Sequence, residues 1–209
     1  VLHPHLFHAD GGYFDWLDTN ENGAFDLGVD AVDLDGDGVA DPNETLRVID
    51  GTTVRFATEE FENVDRQLQV ELDWLYADFN GDGERNVGAA AGFFEEDPGY
   101  GEAAFVVDDV DGNGRLDLDE KLVRLGTSKI LRVSEGGQVF ERGRNLIVAA
   151  ETDGFQNSLH GTGVSSILLG GQAGFHARVG VAPGAELLMY STQRTPDSGT
   201  DQFDDSPQF

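Results

Sequence analysis

Apolar and polar residues alternate along TLRVIDGTTVRF (45–56), RQLQVELDWLY (66–76) and SKILRVSEGGQVFERG (128–143), the two-residue period of strands with one covered face. In the first, Asp50-Gly51 is a primed-turn pair and predicts a hairpin; the third predicts another, turning at 135–138. RNLIVAA (144–150) is nearly all apolar and reads as a strand buried on both faces of an α/β sheet. Val164, Ile167 and Leu168 then recur at the spacing of a helix face, which Gly170-Gly171 can end. After a turn at Pro183-Gly184, residues 185–190 are apolar enough for a central strand.

The expected fold is therefore α/β, a partial parallel sheet with helices, preceded by a β-rich insert. Three parts are expected: residues 1–10, an insert over 11–126, and a strand–helix–strand unit over 127–209. The insert is rich in glycine, aspartate and asparagine. Such a segment should bury little by itself and depend on bound ions for rigidity.

Four segments of that insert share one spacing. A hard divalent cation such as Ca2+ takes six to eight oxygens, and a twelve-residue loop supplies them from positions 1, 3, 5, 7, 9 and 12, with glycine at 6 for the sharp turn. DLDGDGVADPNE (33–44) offers Asp33, Asp35, Asp37, the Val39 carbonyl, Asp41 and Glu44. DVDGNGRLDLDE (109–120) offers Asp109, Asp111, Asn113, the Arg115 carbonyl, Asp117 and Glu120. In DTNENGAFDLGV (18–29), Asp18, Asn20, Asn22, the Ala24 carbonyl and Asp26 fit, but Val29 stands at position 12; Asp30 could serve by a one-residue shift. In DFNGDGERNVGA (78–89), Asp78, Asn80, Asp82, the Glu84 carbonyl and Asn86 fit, while Ala89 leaves the closing position empty. The competing reading is four solvated turns, since Asp, Asn and Gly favour turns without any ion. Strand-like flanks argue against helix–loop–helix EF-hands and for EF-hand-like loops set into β structure.

Charge changes the picture of partners. Acidic residues outnumber basic ones 40 to 13, a formal net charge of -27, which repels nucleic-acid phosphates and anionic lipid surfaces and attracts cations. Four divalent ions would add eight charges and bring -27 to -19. Without them, packed carboxylates repel one another and loosen the loops. A halophile's acidic surface would also give this charge, scattered over every element; many carboxylates fall in the four loops, but enough lie elsewhere that this reading stays open. There is no cysteine, hence no disulfide or thiolate site, and no apolar run approaches the roughly 18 residues of a membrane span. The first residues lack a signal-peptide layout; the chain begins without methionine and stops in a polar stretch, so both ends are expected to be cut.

His160 opens the predicted helix, where an imidazole is exposed beyond the end of a strand; taken alone, such a histidine is most often a polar surface residue. HGTGVSSILLGG (160–171) followed by GVAPGAELLMY (180–190) resembles the histidine block of the subtilisin-like serine peptidases, the subtilases. That block reads His-Gly-Thr-x-Val-x-x-Ile, then Gly-Val-Ala-Pro-x-Ala before a strand. His160, Gly161, Thr162, Val164, Ile167, Gly180, Val181, Ala182, Pro183 and Ala185 match it. Gly163 and Ser166 depart from the family's usual residues without touching the chemistry. The resemblance implies a partial subtilisin-like sheet, a polypeptide substrate, and His160 as general base of a Ser-His-Asp triad. Secretion is the expected location.

The other triad members are not legible. HPHL (3–6) resembles the family's His-Pro-x-Leu segment, which places the aspartate just before Val1; Asp50 and Asp108 are internal alternatives. GTSK (126–129) looks like the serine motif but precedes the histidine block and leads into a strand, so serine and oxyanion asparagine are expected beyond Phe209. The long stretch between HPHL and His160 resembles tripeptidyl-peptidase II relatives in the position of its insert, with endo- or exopeptidase action left open. A rival of another class is a non-catalytic calcium-binding adhesion or scaffold module, or an inactive subtilase homologue. His3, His5 and His8 admit a zinc reading, which the family segment displaces. His176 reads as solvent-facing, Trp16 and Trp74 as core or loop anchors, and Ser198-Gly199 as a candidate groove border.

Overall fold

The computed structural model describes residues 2–49, 51, 67–135, 137–149 and 158–191, with the backbone alone at 135, 149, 158–162 and 191. Asp50, the second arm of the 45–56 hairpin, the turn at 151–157 and Ser198-Gly199 lie outside the described residues. Among those described, the chain is mostly β structure with two α-helices. No described helix is long and apolar enough to cross a membrane.

Residues 13–124 build an antiparallel five-stranded sheet in the order β1-β7-β6-β5-β4: β1 (Tyr13–Phe14), β4 (Leu46–Ile49), β5 (Trp74–Ala77), β6 (Ala104–Asp108) and β7 (Lys121–Arg124). A small hairpin of β2 (Trp16–Leu17) and β3 (Ala31–Val32) packs beside it. A second sheet has the order β10-β8-β9, with β8 (Ile130–Glu135) antiparallel to β9 (Gln138–Glu141) and parallel to β10 (Leu187–Ser191). The hairpin turning at 135–138 is thus present. The parallel sheet shrinks to this one parallel pairing among the described residues.

Residues 144–149 are not a strand, and Ala150 lies outside the described residues. Leu146–Ala149 form a short helix, α1, whose Leu146 and Ile147 are buried. A short apolar run serves either structure, and here Glu95 decides: its carboxylate accepts the N–H of Gly143 ahead of the helix and that of Ile147 in its first turn. The half-buried strand expected over 66–76 also changes. Leu72 and Asp73 donate to the Gln69 carbonyl in a turn, and the strand is only Trp74–Ala77, buried at all four positions.

That full burial follows from two apolar cores, one on each face of the five-stranded sheet. Trp74 and Tyr76 join Ile49, Ala104, Val106, Val123 and Leu125 on one side. Leu75 and Ala77 join Leu46, Val48, Phe105, Val107 and Leu122 on the other, with Trp16 and Val32 from the hairpin. The segment expected to bury little therefore has a core of its own. The first core continues into the rest of the chain through Leu6, Phe7, Ile130, Val133, Phe140, Leu146, Ile147 and Leu169. Residues 6–8 reach that core by running antiparallel to 126–129, with His8 N–H donating to the Thr127 carbonyl and Lys129 N–H to the Leu6 carbonyl.

Phe105 has no exposed surface and stacks edge-on against Phe14 at 5.8 Å. Phe105→Ala should cost about 3–5 kcal/mol, measured as a lower guanidinium midpoint with little change in slope.

Candidate metal loops and histidine helix

Each acidic segment is the connection between strands. Residues 18–30 join β2 to β3, 33–44 join β3 to β4, and 109–120 join β6 to β7; 78–89 follow β5. No α-helix flanks any of them, although a 3-10 turn (Ala89–Ala91) follows the third, so the loops sit in β structure.

All four share one hydrogen-bond scheme. The position-1 aspartate accepts the N–H of position 6: Gly23 to Asp18, Gly38 to Asp33, Gly83 to Asp78 and Gly114 to Asp109. Those glycines lie at φ between 73° and 82°, a region that costs other residues energy. Position 5 N–H donates to the position-3 side chain, and position 7 N–H to the position-5 side chain, in every loop. This curls the short oxygen side chains around one point.

A last carboxylate closes each loop by accepting the N–H groups of positions 2 and 9. Glu44 accepts from Leu34 and Asp41, at 2.9 and 3.0 Å. Glu120 accepts from Val110 and Asp117, at 2.7 and 3.1 Å. In the first loop Asp30 takes the role by the one-residue shift, accepting from Thr19 and Asp26 at 2.9 and 2.6 Å. In the third, Glu102 does so, accepting from Phe79 and Asn86 at 2.9 and 2.8 Å. All four closing side chains are buried at 5% exposure or less.

Glu102 is the functional candidate that the spacing misses, because it lies 23 residues beyond Phe79. The sheet delivers it. Antiparallel register pairs Tyr76 with Ala104, which sets Asp78 opposite Glu102 two residues further along both strands. The signal was an isolated acidic residue ahead of the apolar run AAFVV; nothing local ties it to Asp78. Burial pushes the Glu102 carboxyl up from its ordinary value, opposed by the N–H groups of Asn86 and Phe79. Asp78 is itself buried and pairs with Arg47 at 2.9 Å.

The donor set fits a hard cation, being carboxylates, amide oxygens and backbone carbonyls without thiol or imidazole. Asp33, Asp35 and Asp37 each bring a carboxylate oxygen within 4.8 Å of the others, as do Asp109, Asp111 and Glu120. A carboxylate oxygen has two acceptor directions, so one can serve an N–H and the other an ion. In the exposed loop oxygens, the amide donors Asn20 and Asn22 hold the Asp26 carboxyl below its ordinary value, and Asn86 does the same for Asp82. No three-histidine metal group occurs among the described residues.

The histidine motif forms a helix, α2 (Ser158–Leu169), and His160 lies in its first turn. The apolar face is the reverse of that expected: Val164, Ile167 and Leu168 are exposed, whereas Ser165 and Leu169 are buried. The helix ends where the two glycines stand. Its last carbonyls are taken by the second motif: Val181 N–H donates to Ile167 and Ala182 N–H to Leu168, at 3.1 and 2.7 Å. Lys129, fully buried, donates Nζ to the Leu169 and Gly171 carbonyls, and burial brings its pKa down to about 8. Gly180 passes so close that an added Cβ would lie 2.7 Å from the Leu168–Leu169 backbone. Strand β10 follows and pairs beside β8.

Scans against models of protein families, curated proteins and solved structures return no match.

Two substitutions probe this geometry. Glu102→Ala strips the part-buried N–H groups of Phe79 and Asn86 of their acceptor and should cost about 1–3 kcal/mol, with faster hydrogen exchange at both. Gly180→Ala should cost about 1–3 kcal/mol through the clash with α2, read as a lower melting temperature.

Proposed function

We propose that the chain is the histidine-bearing, calcium-binding part of a subtilisin-like serine peptidase. The observation that carries this reading is the coupling of its two motifs. The helix opening at the histidine motif has its terminal carbonyls capped by the Gly-Val-Ala of the second, ahead of a strand parallel to β8. The proposed base lies on the first turn of a helix set between the parallel strands β8 and β10, a placement that supports its use in a peptide-hydrolysing triad.

In that reading His160 takes the proton of a serine hydroxyl as its oxygen attacks the peptide carbonyl, then returns it to the leaving amine. The serine and aspartate belong to sequence outside residues 1–209, the substrate is a polypeptide, and the protein is secreted. The exposed apolar side chains of α2 and of Leu188 and Tyr190 on β10 support a larger domain that would cover them.

Ca2+ is the proposed ligand of the four loops. Asp18, Asn20, Asn22, Asp26 and Asp30 would hold one ion; Asp33, Asp35, Asp37, Asp41 and Glu44 a second. Asp78, Asn80, Asp82, Asn86 and Glu102 would hold a third, and Asp109, Asp111, Asn113, Asp117 and Glu120 a fourth. The carbonyls of Ala24, Val39, Glu84 and Arg115 complete these sets. The ions would neutralise part of the -27 charge and fix the strand connections. A second reading, a calcium-ordered scaffold module or inactive homologue, is favoured by the separate core of the five-stranded sheet, which needs no catalytic partner.

In the full-length protein, His160→Ala should abolish peptide hydrolysis, at least about 1,000-fold in kcat. Retained hydrolysis would reject the triad role and leave the scaffold. Calorimetric titration of the 209-residue chain should show up to four calcium ions, and Glu102→Gln should remove or weaken one. Chelation should lower the melting temperature by several degrees.

A further inference from the structure

Three histidines outside the proposed chemistry gather round one indole. His5 meets Trp74 edge-on with ring centres 4.6 Å apart, and His176 meets it at 4.8 Å with the planes 84° apart. His3 stacks on His5 at 5.0 Å and 13°. His176, read from sequence as solvent-facing, is buried, with Nε2 3.0 Å from the Asp73 carbonyl oxygen. That contact requires the proton on Nε2, because a carbonyl only accepts. His3 Nε2 and His5 Nδ1 are sealed from solvent, and His5 Nδ1 has no hydrogen-bond partner among the described residues.

The cluster joins three pieces of chain. Gln172 accepts from Trp74 Nε1 at 2.6 Å and donates to the Pro4 and Phe7 carbonyls at 2.8 and 3.2 Å, while Gly171 N–H donates to the His5 carbonyl at 3.0 Å. The segment 3–8, the loop after α2 and strand β5 thus close on the same indole.

We propose that His3, His5 and His176, packed on Trp74, form an acid-sensitive latch that fastens segment 3–8 to the loop after α2 and to the five-stranded sheet. A protonated ring would gain some cation–π attraction from the indole, about 0.5–2 kcal/mol. Against that stand burial and the charges that face the rings. Among the described residues, Lys129 faces His5 and His176, Arg85 faces His3, and the rings face one another. Burial outweighs the indole and brings His5 and His176 down to about 4. Released imidazoles titrate near 6.5, so the closed latch is unaffected above that pH. It is lost progressively between there and about 4, because the open state then binds more protons.

The test is hydrogen exchange on the calcium-saturated chain at pH 7.5 and 5, corrected for intrinsic rates. Protection at Leu6 and Gly171 should fall on the order of tenfold per ring, while the amides of β6 and β7 keep theirs. His5→Gln with His176→Gln should remove that difference. Should the double variant not fold, NMR titration of the ring protons in the parent decides. Values well below 6 support the latch. Values near 6.5, or equal loss of protection across latch and sheet, overturn it.

Discussion

One buried carboxylate that bridges two backbone N–H groups is the constraint on which the acidic half of the molecule depends. In each of four loops it spans positions 2 and 9, and so ties the strand entering the loop to the strand leaving it. A chain this short of basic residues cannot neutralise its carboxylates by ion pairs. It uses main-chain donors instead, which are always present, cost no side-chain entropy and leave the second acceptor direction of each oxygen toward the loop centre. The same groups that hold the backbone have the chemistry to hold a cation, and binding one would couple to folding.

The five-stranded sheet is the frame that makes this bridge possible. With apolar cores on both faces, its central strands are buried throughout, and register cannot slip without exposing a whole face. Fixed register is what sets Glu102 opposite Asp78. The dependence runs both ways, since unneutralised carboxylates at the strand ends would push those connections apart. Trp74 belongs to both systems: its ring fills the core shared with the rest of the chain, while its strand leads directly into the third loop.

The helix carrying His160 is positioned from its C-terminal end. Four carbonyls there would be orphaned by the geometry of any helix. The chain answers with the Gly-Val-Ala segment and with the ammonium group of Lys129, and Gly180 lets the backbone approach closely enough. A motif of small residues thus acts as a cap on the helix of the histidine motif. The opposite, apolar side of α2 is open among the described residues, consistent with a helix that has a further layer to meet.

The features that the sequence determined by itself are those closed over a few residues. Position-6 glycines, the side-chain bonds from positions 1, 3 and 5, the β8–β9 hairpin and the glycine stop of α2 all depend on neighbours within one turn, so spacing reveals them. Asp30 was legible for the same reason. Glu102 was not, because only strand pairing carries it to Asp78. Likewise LIVA became a helix when a distant Glu95 supplied its N-terminal acceptor, and His176 went inside because Trp74 offered it a wall. Which face of α2 is buried also depended on tertiary neighbours. Local hydrogen bonds are written in spacing, whereas register, burial and the sign of a face exist only once distant segments have met.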